Sequence, residues 1–262
     1  MTKKNCDIFI PVRLNSSRLP QKHLQVLDDK PALQHLIERL KQCKEIRKIV
    51  VCCTTHSTDD DLINFLEKLE VNFFRGNEKD ILQRFLDAAN KFDTDIIIDV
   101  EGDKIYTDPE YVDKLAFILK TKNVDFIIGN DSKTDFNPSN HFIHGIIPAG
   151  FTKNALEEIC KSKVTRNTET GYREFFIKSN SVNSDFLVIQ TNDFLNKIRL
   201  TLDYSDDLKL AQKIFGKLNY NFTTNDLVNL FENNPELISI TANITKEWEL
   251  NYEKNKSDFK MN

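Results

Sequence analysis

Residues 7–22 read DIFIPVRLNSSRLPQK, and the fold turns on how this stretch is read. Ile8, Ile10 and Val12 alternate with Phe9 and Pro11, which leaves no polar face and matches a strand buried on both sides. The run empties directly into a loop where Arg13, Arg18 and Lys22 are interleaved with Ser16 and Ser17. Guanidinium, ammonium and hydroxyl donors at that density suit a polyphosphate, although a solvated basic turn has the same composition. Position favours the ligand, because open α/β sheets bind outside the carboxyl ends of their strands.

Working outward, residues 31–44 place Leu33, Leu36, Ile37 and Leu40 at helical spacing, with Pro31 suited to a first turn. Residues 49–53 (IVVCC) form a second apolar run, and the following THSTDDD supplies capping residues and acids for the positive end of another helix. A third strand is expected at 71–74, a helix with Ile81, Leu82, Phe85 and Ala89 on one face, and a fourth strand at 95–100 (DIIIDV). Such alternation predicts a doubly wound, mostly parallel α/β sheet with right-handed crossovers.

The chain of 262 residues is long enough for a full core and reads as one domain, with a subdomain insertion allowed. Lys and Arg number 36 against 40 Asp and Glu, a net charge of -4, so no global positive field recruits nucleic acid or an anionic membrane. The opening MTKKNCDIFIPVR is too short in apolar residues for a signal segment, and no later run approaches the ~18 apolar residues of a membrane span. A soluble, cytoplasmic protein is expected. Cys6, Cys43, Cys52, Cys53 and Cys160 lack CxxC spacing and read as core thiols, with Cys52 and Cys53 on opposite faces of their strand.

Glu101-Gly102-Asp103 stands at the carboxyl end of the 95–100 strand and so faces the cationic loop. Asp103 suits a Mg²⁺ ligand there, and equally a turn cap. Residues 125–151 read as strand, loop and strand; His141 and His144 form an HxxH with no further ligand spaced to complete a metal site. Residues 163–184 carry little pattern apart from the apolar Phe175–Ile177. RLTLD at 199–203 is expected to be a strand ending in an acid, followed by helices over DLKLAQKIFGKL and TNDLVNLFENNPEL, with a frayed tail from Glu253.

These residues resemble the cytidylyltransferases that include CMP-Kdo and CMP-sialic acid synthetases, and most nearly the SpsF-like spore-coat polysaccharide group. Arg13, Ser16, Arg18, Leu19, Pro20 and Lys22 fall on the motif R-x-x-S-x-R-L-P-x-K, and FRGNEKDILQRF resembles F-R-G-x-x-x-D-V-L-x-R. EGD at 101–103 and RLTLDYSDDLKL complete the set. The match spans 7–115 and about 199–240, and is loose over 120–198. The chain departs from the pattern at Asn15 and Gln21, where many relatives have Gly, at Asp28-Asp29, where they have Gly-Gly, and at Lys104-Ile105-Tyr106, where they have Cys/Glu-Pro-Leu.

The resemblance implies a Rossmann-like nucleotidyltransferase domain in which 120–198 forms an acceptor and dimerisation insertion, with Phe175 and Phe176 open either as contact candidates or as ordinary core packing. It implies Mg²⁺-dependent transfer of CMP from CTP to a small-molecule acceptor, with pyrophosphate released, in a homodimer involved in polysaccharide biosynthesis. Arg13, Lys22 and Asp103 would then be catalytic; Arg13, Ser16, Arg18, Lys22, Thr54, Arg75 and Asp80 would bind nucleotide; Asp103 and Asp203 would hold metal. An acid sugar, a phosphate or a phosphonate are all open as acceptors, as is a non-catalytic nucleotide-binding homologue.

Overall fold

The computed structural model describes residues 4–130, 142–256, 260 and 261. His141 and most of the loop expected within 125–151 lie outside them. The quoted stretch begins with β1 (Cys6–Pro11), whose side chains are buried on both faces up to Ile10. A two-stranded hairpin, β2 (Val26–Leu27) with β3 (Lys30–Pro31), leads into α1 (Ala32–Leu40). β4 (Lys48–Thr54), α2 (Asp60–Lys68), β5 (Asn72–Gly76), α3 (Ile81–Phe92), β6 (Ile96–Asp99) and α4 (Pro109–Thr121) then alternate as the apolar periodicity predicts.

Segment 120–198 extends the same sheet. It contributes β7 (Phe126–Asn130), β8 (Ala149–Thr152), α5 (Lys153–Ser162), α6 (Glu174–Lys178) and β9 (Ser184–Val188). The seven-stranded sheet has the order β5-β4-β1-β6-β8-β7-β9. β8 runs antiparallel to both its neighbours while the other pairings are parallel. The winding direction reverses between β1 and β6. Their carboxyl ends therefore open the crevice in which doubly wound sheets hold ligands.

One face of the sheet packs Ile8, Ile10, Val51 and Cys53 against Leu33, Leu36 and Leu40 of α1. The other packs Phe9, Val50 and Cys52 against Leu82, Phe85 and Ala89 of α3. Adjacent Cys52 and Cys53 thus face opposite ways, and all five cysteines are free thiols. Phe175 and Phe176 belong to the second core, fully buried, with Phe176 stacked between Phe126 and Phe151 at 5.0 and 4.6 Å. Of the two roles open for them, subunit contact and core packing, the structure shows core packing: residues this deep in a core have no face to offer a second chain.

Residues 199–203 are not a ladder strand either. Arg199 makes one isolated bridge to His144; Leu200 donates to the His144 carbonyl at 2.7 Å, while Leu202 donates to that of Asp103 at 3.0 Å. The alternation of buried Leu200 and Leu202 that mimics a strand comes from a chain crossing the carboxyl ends of the sheet and pairing with two different loops. That crossing needs Gly145, whose φ is +102° and where a Cβ would sit 1.9 Å from the Leu200 carbonyl oxygen.

After α7 (Ser205–Phe215), the expected final helix is divided at Asn234 and Pro235 into α8 (Thr224–Asn233) and α9 (Glu236–Ser239), because proline at this point cannot continue the ladder. α10 (Ala242–Asn255) follows and carries helix past Glu253, where fraying was expected. Beyond it, the Lys260 carbonyl accepts from Val164 N and Met261 bridges Lys163; residues 257–259 and 262 are outside the described set. No described helix is long and apolar enough to cross a membrane.

Candidate active site

The loop after β1 is held from beneath by a buried carboxylate. Asp59 accepts from Leu14 N at 2.8 Å and from Thr54 N and Oγ1 at 2.9 and 2.6 Å, tying the loop to the end of β4. Leu14 and Leu19 are buried, so the polar residues between them are turned outward by the apolar anchors. Gln21, in the left-handed region at φ 49°, redirects the chain so that Lys22 points into the crevice. A cleft of about 380 Å³ results, lined among others by Arg13, Ser16, Arg18, Lys22, Gly102 and Asp103.

Lys22 is the hub. Its Nζ donates to Asp103 Oδ2 at 2.7 Å and to Asp203 Oδ1 at 2.9 Å. Burial alone would lower the ammonium pKa, but the two carboxylates outweigh it and raise it. In turn, burial pushes the Asp103 carboxyl up and Lys22 more than reverses that, so Asp103 titrates below its ordinary value. Asp203 is also bonded by Arg18 Nη2 at 2.9 Å and Arg199 Nη2 at 3.3 Å. Its backbone N–H donates to Asp207, the residue that anchors Arg199 from the first turn of α7.

His23 is buried behind Lys22 with Nδ1 3.1 Å from the Gly102 carbonyl, which fixes the proton on that nitrogen. Burial, then the neighbouring ammonium, pulls its pKa down to about 4. Gly102 is required here, since a Cβ would stand 2.7 Å from Val12 Cγ2 and 3.0 Å from the His23 ring. On the other flank, Arg173 Nε donates to Asp99 at 2.7 Å and Nη1 pairs with Glu101 at 3.2 Å. Glu101 also pairs with Lys104. Burial opposes ionisation of Glu101, but Arg173 and Lys104 prevail and bring its pKa down to about 2.

Of the residues expected to bind nucleotide, Arg13, Ser16, Arg18 and Lys22 line this cleft. Arg13 pairs across it with Glu169. Thr54, Arg75 and Asp80 do not line it. Thr54 is buried on Asp59; Arg75 donates to the carbonyls of Thr54 and His56; Asp80 caps α3 and pairs with Lys163. They brace the loops around the cleft. Sequence reasoning missed Asp59, Tyr172 and Arg173. The usable signal was Asp99, an acid inside the DIIIDV run, since a buried carboxylate on a strand demands a partner and takes Tyr172 and Arg173.

A family model described as Cytidylyltransferase matches residues 8–141. The chain belongs to the cytidylyltransferase family. An uncharacterised protein of Methanocaldococcus jannaschii is 30% identical over 91% of this chain and 95% of its own length. The spore coat polysaccharide biosynthesis protein SpsF of Bacillus subtilis is 24% identical over 87% and 94%. A solved cytidylyltransferase from Leptospira borgpetersenii superimposes with TM-score 0.78 at 27% identity, covering 90% of this chain and 97% of that one. The Rossmann-like nucleotidyltransferase fold is therefore the one expected, and this cytidylyltransferase-family chain is an enzyme of the nucleotidyltransferase class.

No cluster of three or more His, Cys, Asp or Glu able to hold a metal occurs among the described residues of this family member. Two carboxylates converging on one cation, Asp103 and Asp203 on Lys22 Nζ, nonetheless fit Mg²⁺. That ion takes one or two carboxylates and fills its remaining positions with phosphate oxygens and water.

Proposed function

We propose that the protein transfers CMP from CTP to an acceptor used in surface-polysaccharide assembly, with Mg²⁺ held by Asp103 and Asp203. Supporting it above all is the convergence of Lys22, Arg18, Asp103 and Asp203 at one point on the rim of the phosphate cleft. In this reading the acceptor oxygen attacks the α-phosphorus, a P–O bond forms, and the bridging bond to the β-phosphate breaks. The pyrophosphate keeps that electron pair and the acceptor's proton passes to solvent. Bound between the two carboxylates, Mg²⁺ supplies charge neutralisation at the α-phosphate and a template for the incoming oxygen.

The chain's own part is positioning and electrostatics. Arg13 and Lys22 meet the β and γ phosphates and stabilise the charge that develops on the leaving group. Both are held in ion pairs beforehand, so binding exchanges one anionic partner for another at little cost in ordering. Ser16 and Arg18 fix the loop around the polyphosphate, and Asp59 holds its backbone in shape before ligand arrives. The acceptor sits beyond Asp103 and Asp203. The protein acts as a cytoplasmic homodimer, through a surface other than Phe175 and Phe176.

The test is pyrophosphate release with Mg²⁺ and each of CTP, UTP, ATP and GTP against a panel of sugars, polyol phosphates and phosphonates. Release with CTP and one acceptor class is the expected outcome. Failure of CTP to bind in the presence of Mg²⁺ would sink the reading.

A further inference from the structure

Arg84 is 2% exposed, yet it lines the phosphate cleft, reaching it from the first turn of α3 beside Ile81. Its guanidinium is poorly met. Nη1 donates to the Cys52 carbonyl at 3.3 Å, and Nε is enclosed with no partner. Nη2 has no acceptor among the described residues either, and it is not enclosed as Nε is. No described carboxylate pairs with this side chain.

The two other arginines buried as deeply are compensated. Arg199 pairs with Asp203 and Asp207, and Arg39 donates to the carbonyls of Tyr106, Thr107, Tyr220 and Phe222. A buried guanidinium with one long bond destabilises the empty protein, and such a group set in a cleft is met when a ligand brings an acceptor.

Its surroundings say which part of a ligand that is. Arg13, Arg18 and Lys22 all come from the loop after β1, whereas the groups that act most on Arg84 are Cys52, Cys53, Asp59 and Tyr172. Nor does Arg84 line the neighbouring cavity of about 200 Å³, which shares Arg18, Glu101 and Asp103 with the cleft and is walled by Thr201 and by Trp248 and Tyr252 of α10. Beside it in the cleft are the apolar Pro11, Val12 and Ile81 and the ring of Tyr172. An apolar shelf carrying a group that can only donate suits a planar heterocycle with acceptors on its edge. A phosphate is better met by the clustered cations of the loop.

We propose that Arg84 is the residue that reads the base, its Nη2 donating to the O2 and N3 edge of the nucleotide's cytosine. The proposal rests on the reading of the cleft as the CTP site. Both of those atoms accept in cytosine, whereas N3 of uracil carries a hydrogen and would set a donor against a donor. Arg84 thereby sets the preference for CTP over UTP. The same contact compensates the buried charge, so nucleotide binding stabilises the fold through it.

Calorimetry on the full chain with Mg²⁺ measures CTP, UTP, pyrophosphate and 3-deazacytidine triphosphate, in which a C–H replaces N3. The unmodified chain should bind the deaza nucleotide at least tenfold more weakly than CTP. Arg84→Met, which keeps the length of the stem, should bind those two nearly alike, lose at least fivefold of the preference for CTP over UTP, and hold pyrophosphate within threefold of normal. Its melting temperature without ligand should equal or exceed that of the unmodified chain, because an unpaired buried charge is gone. An arginine that only braces the fold would melt lower on replacement and leave the preference intact, which overturns the proposal. Deaza nucleotide bound as tightly as CTP by the unmodified chain overturns it whether or not the variant folds, and so does a pyrophosphate loss as large as the CTP loss. Failure of the unmodified chain to bind CTP at all overturns the nucleotide reading, and this assignment with it.

Discussion

Lys22 donates from Nζ to Asp203 Oδ1 at 2.9 Å, across 181 residues of chain, and so closes the phosphate loop onto the segment entering α7. Replacing Lys22 by Ala removes a preorganised donor from the site of developing charge, with an expected loss of about 10²–10³ in kcat. Steady-state pyrophosphate release decides this. Near-normal turnover would show that Lys22 only braces the loop.

The same ammonium lies where a divalent cation is expected to bind, which makes the two competitors until nucleotide draws Lys22 away. A Lys22→Met variant should therefore bind Mn²⁺ without nucleotide more tightly than the unmodified protein, by on the order of tenfold if one screened like-charge contact of ~1.4 kcal/mol is relieved. Electron paramagnetic resonance titration of free Mn²⁺ gives the answer, and unchanged affinity would place the cation elsewhere.

His23 sets an acid limit on stability. Its folded pKa of about 4 lies below the ordinary 6.5, so between those values the unfolded chain takes up a proton that the folded one refuses. The stability contributed by the neutral ring is complete above pH 6.5 and is lost as pH falls toward 4, in total roughly 3 kcal/mol. Thermal melts over this window should show a shallower decline for His23→Asn than for the unmodified chain; matching slopes would contradict the assignment.

Phe176 separates core from interface. Truncation to Ala should cost about 3–5 kcal/mol in denaturant unfolding, as for other fully buried phenylalanines, and leave the molecular weight in solution unchanged. A shift in oligomeric state at normal stability would place this residue at an interface instead of in the core.

Gly145→Ala tests the crossing that carries Thr201 and Asp203 to the site. A Cβ 1.9 Å from a backbone oxygen at φ +102° cannot be met by a side-chain adjustment. The 199–203 segment must move, and a cost of at least ~2 kcal/mol is expected together with loss of activity. A melting temperature and turnover close to normal would mean that the segment has slack.

The first half of the molecule was legible because each element there carries a single message. In β1 every residue from Ile8 to Pro11 is apolar, α3 shows an uninterrupted stripe through Ile81, Leu82, Phe85 and Ala89, and the cations of the loop follow a strand end directly. Residues 199–203 misled because alternation of Leu200 and Leu202 reports burial on one side and does not say whether the partner is a strand or two loops. α10 was illegible for the opposite reason. ANITKEWELNYEKN has no residue in the buried core, so Trp248 and Tyr252 left no apolar stripe. Thr54, Arg75 and Asp80 were expected at the nucleotide from the family resemblance alone, and a motif match does not say that their polar groups are engaged by Asp59, by backbone carbonyls and by a helix cap.

The walls of the two cavities are also separated in time. A ribosome delivers the strand and loop that shape the phosphate cleft early, and α10 long after, with β4, β6 and the 199–203 crossing in between. The cleft is complete in covalent terms once Tyr172 has been made, whereas the second cavity waits for Tyr252. Changes in α10 reach the second cavity through Trp248 and Tyr252 and leave every residue that lines the cleft of Arg13, Lys22 and Asp103 unchanged.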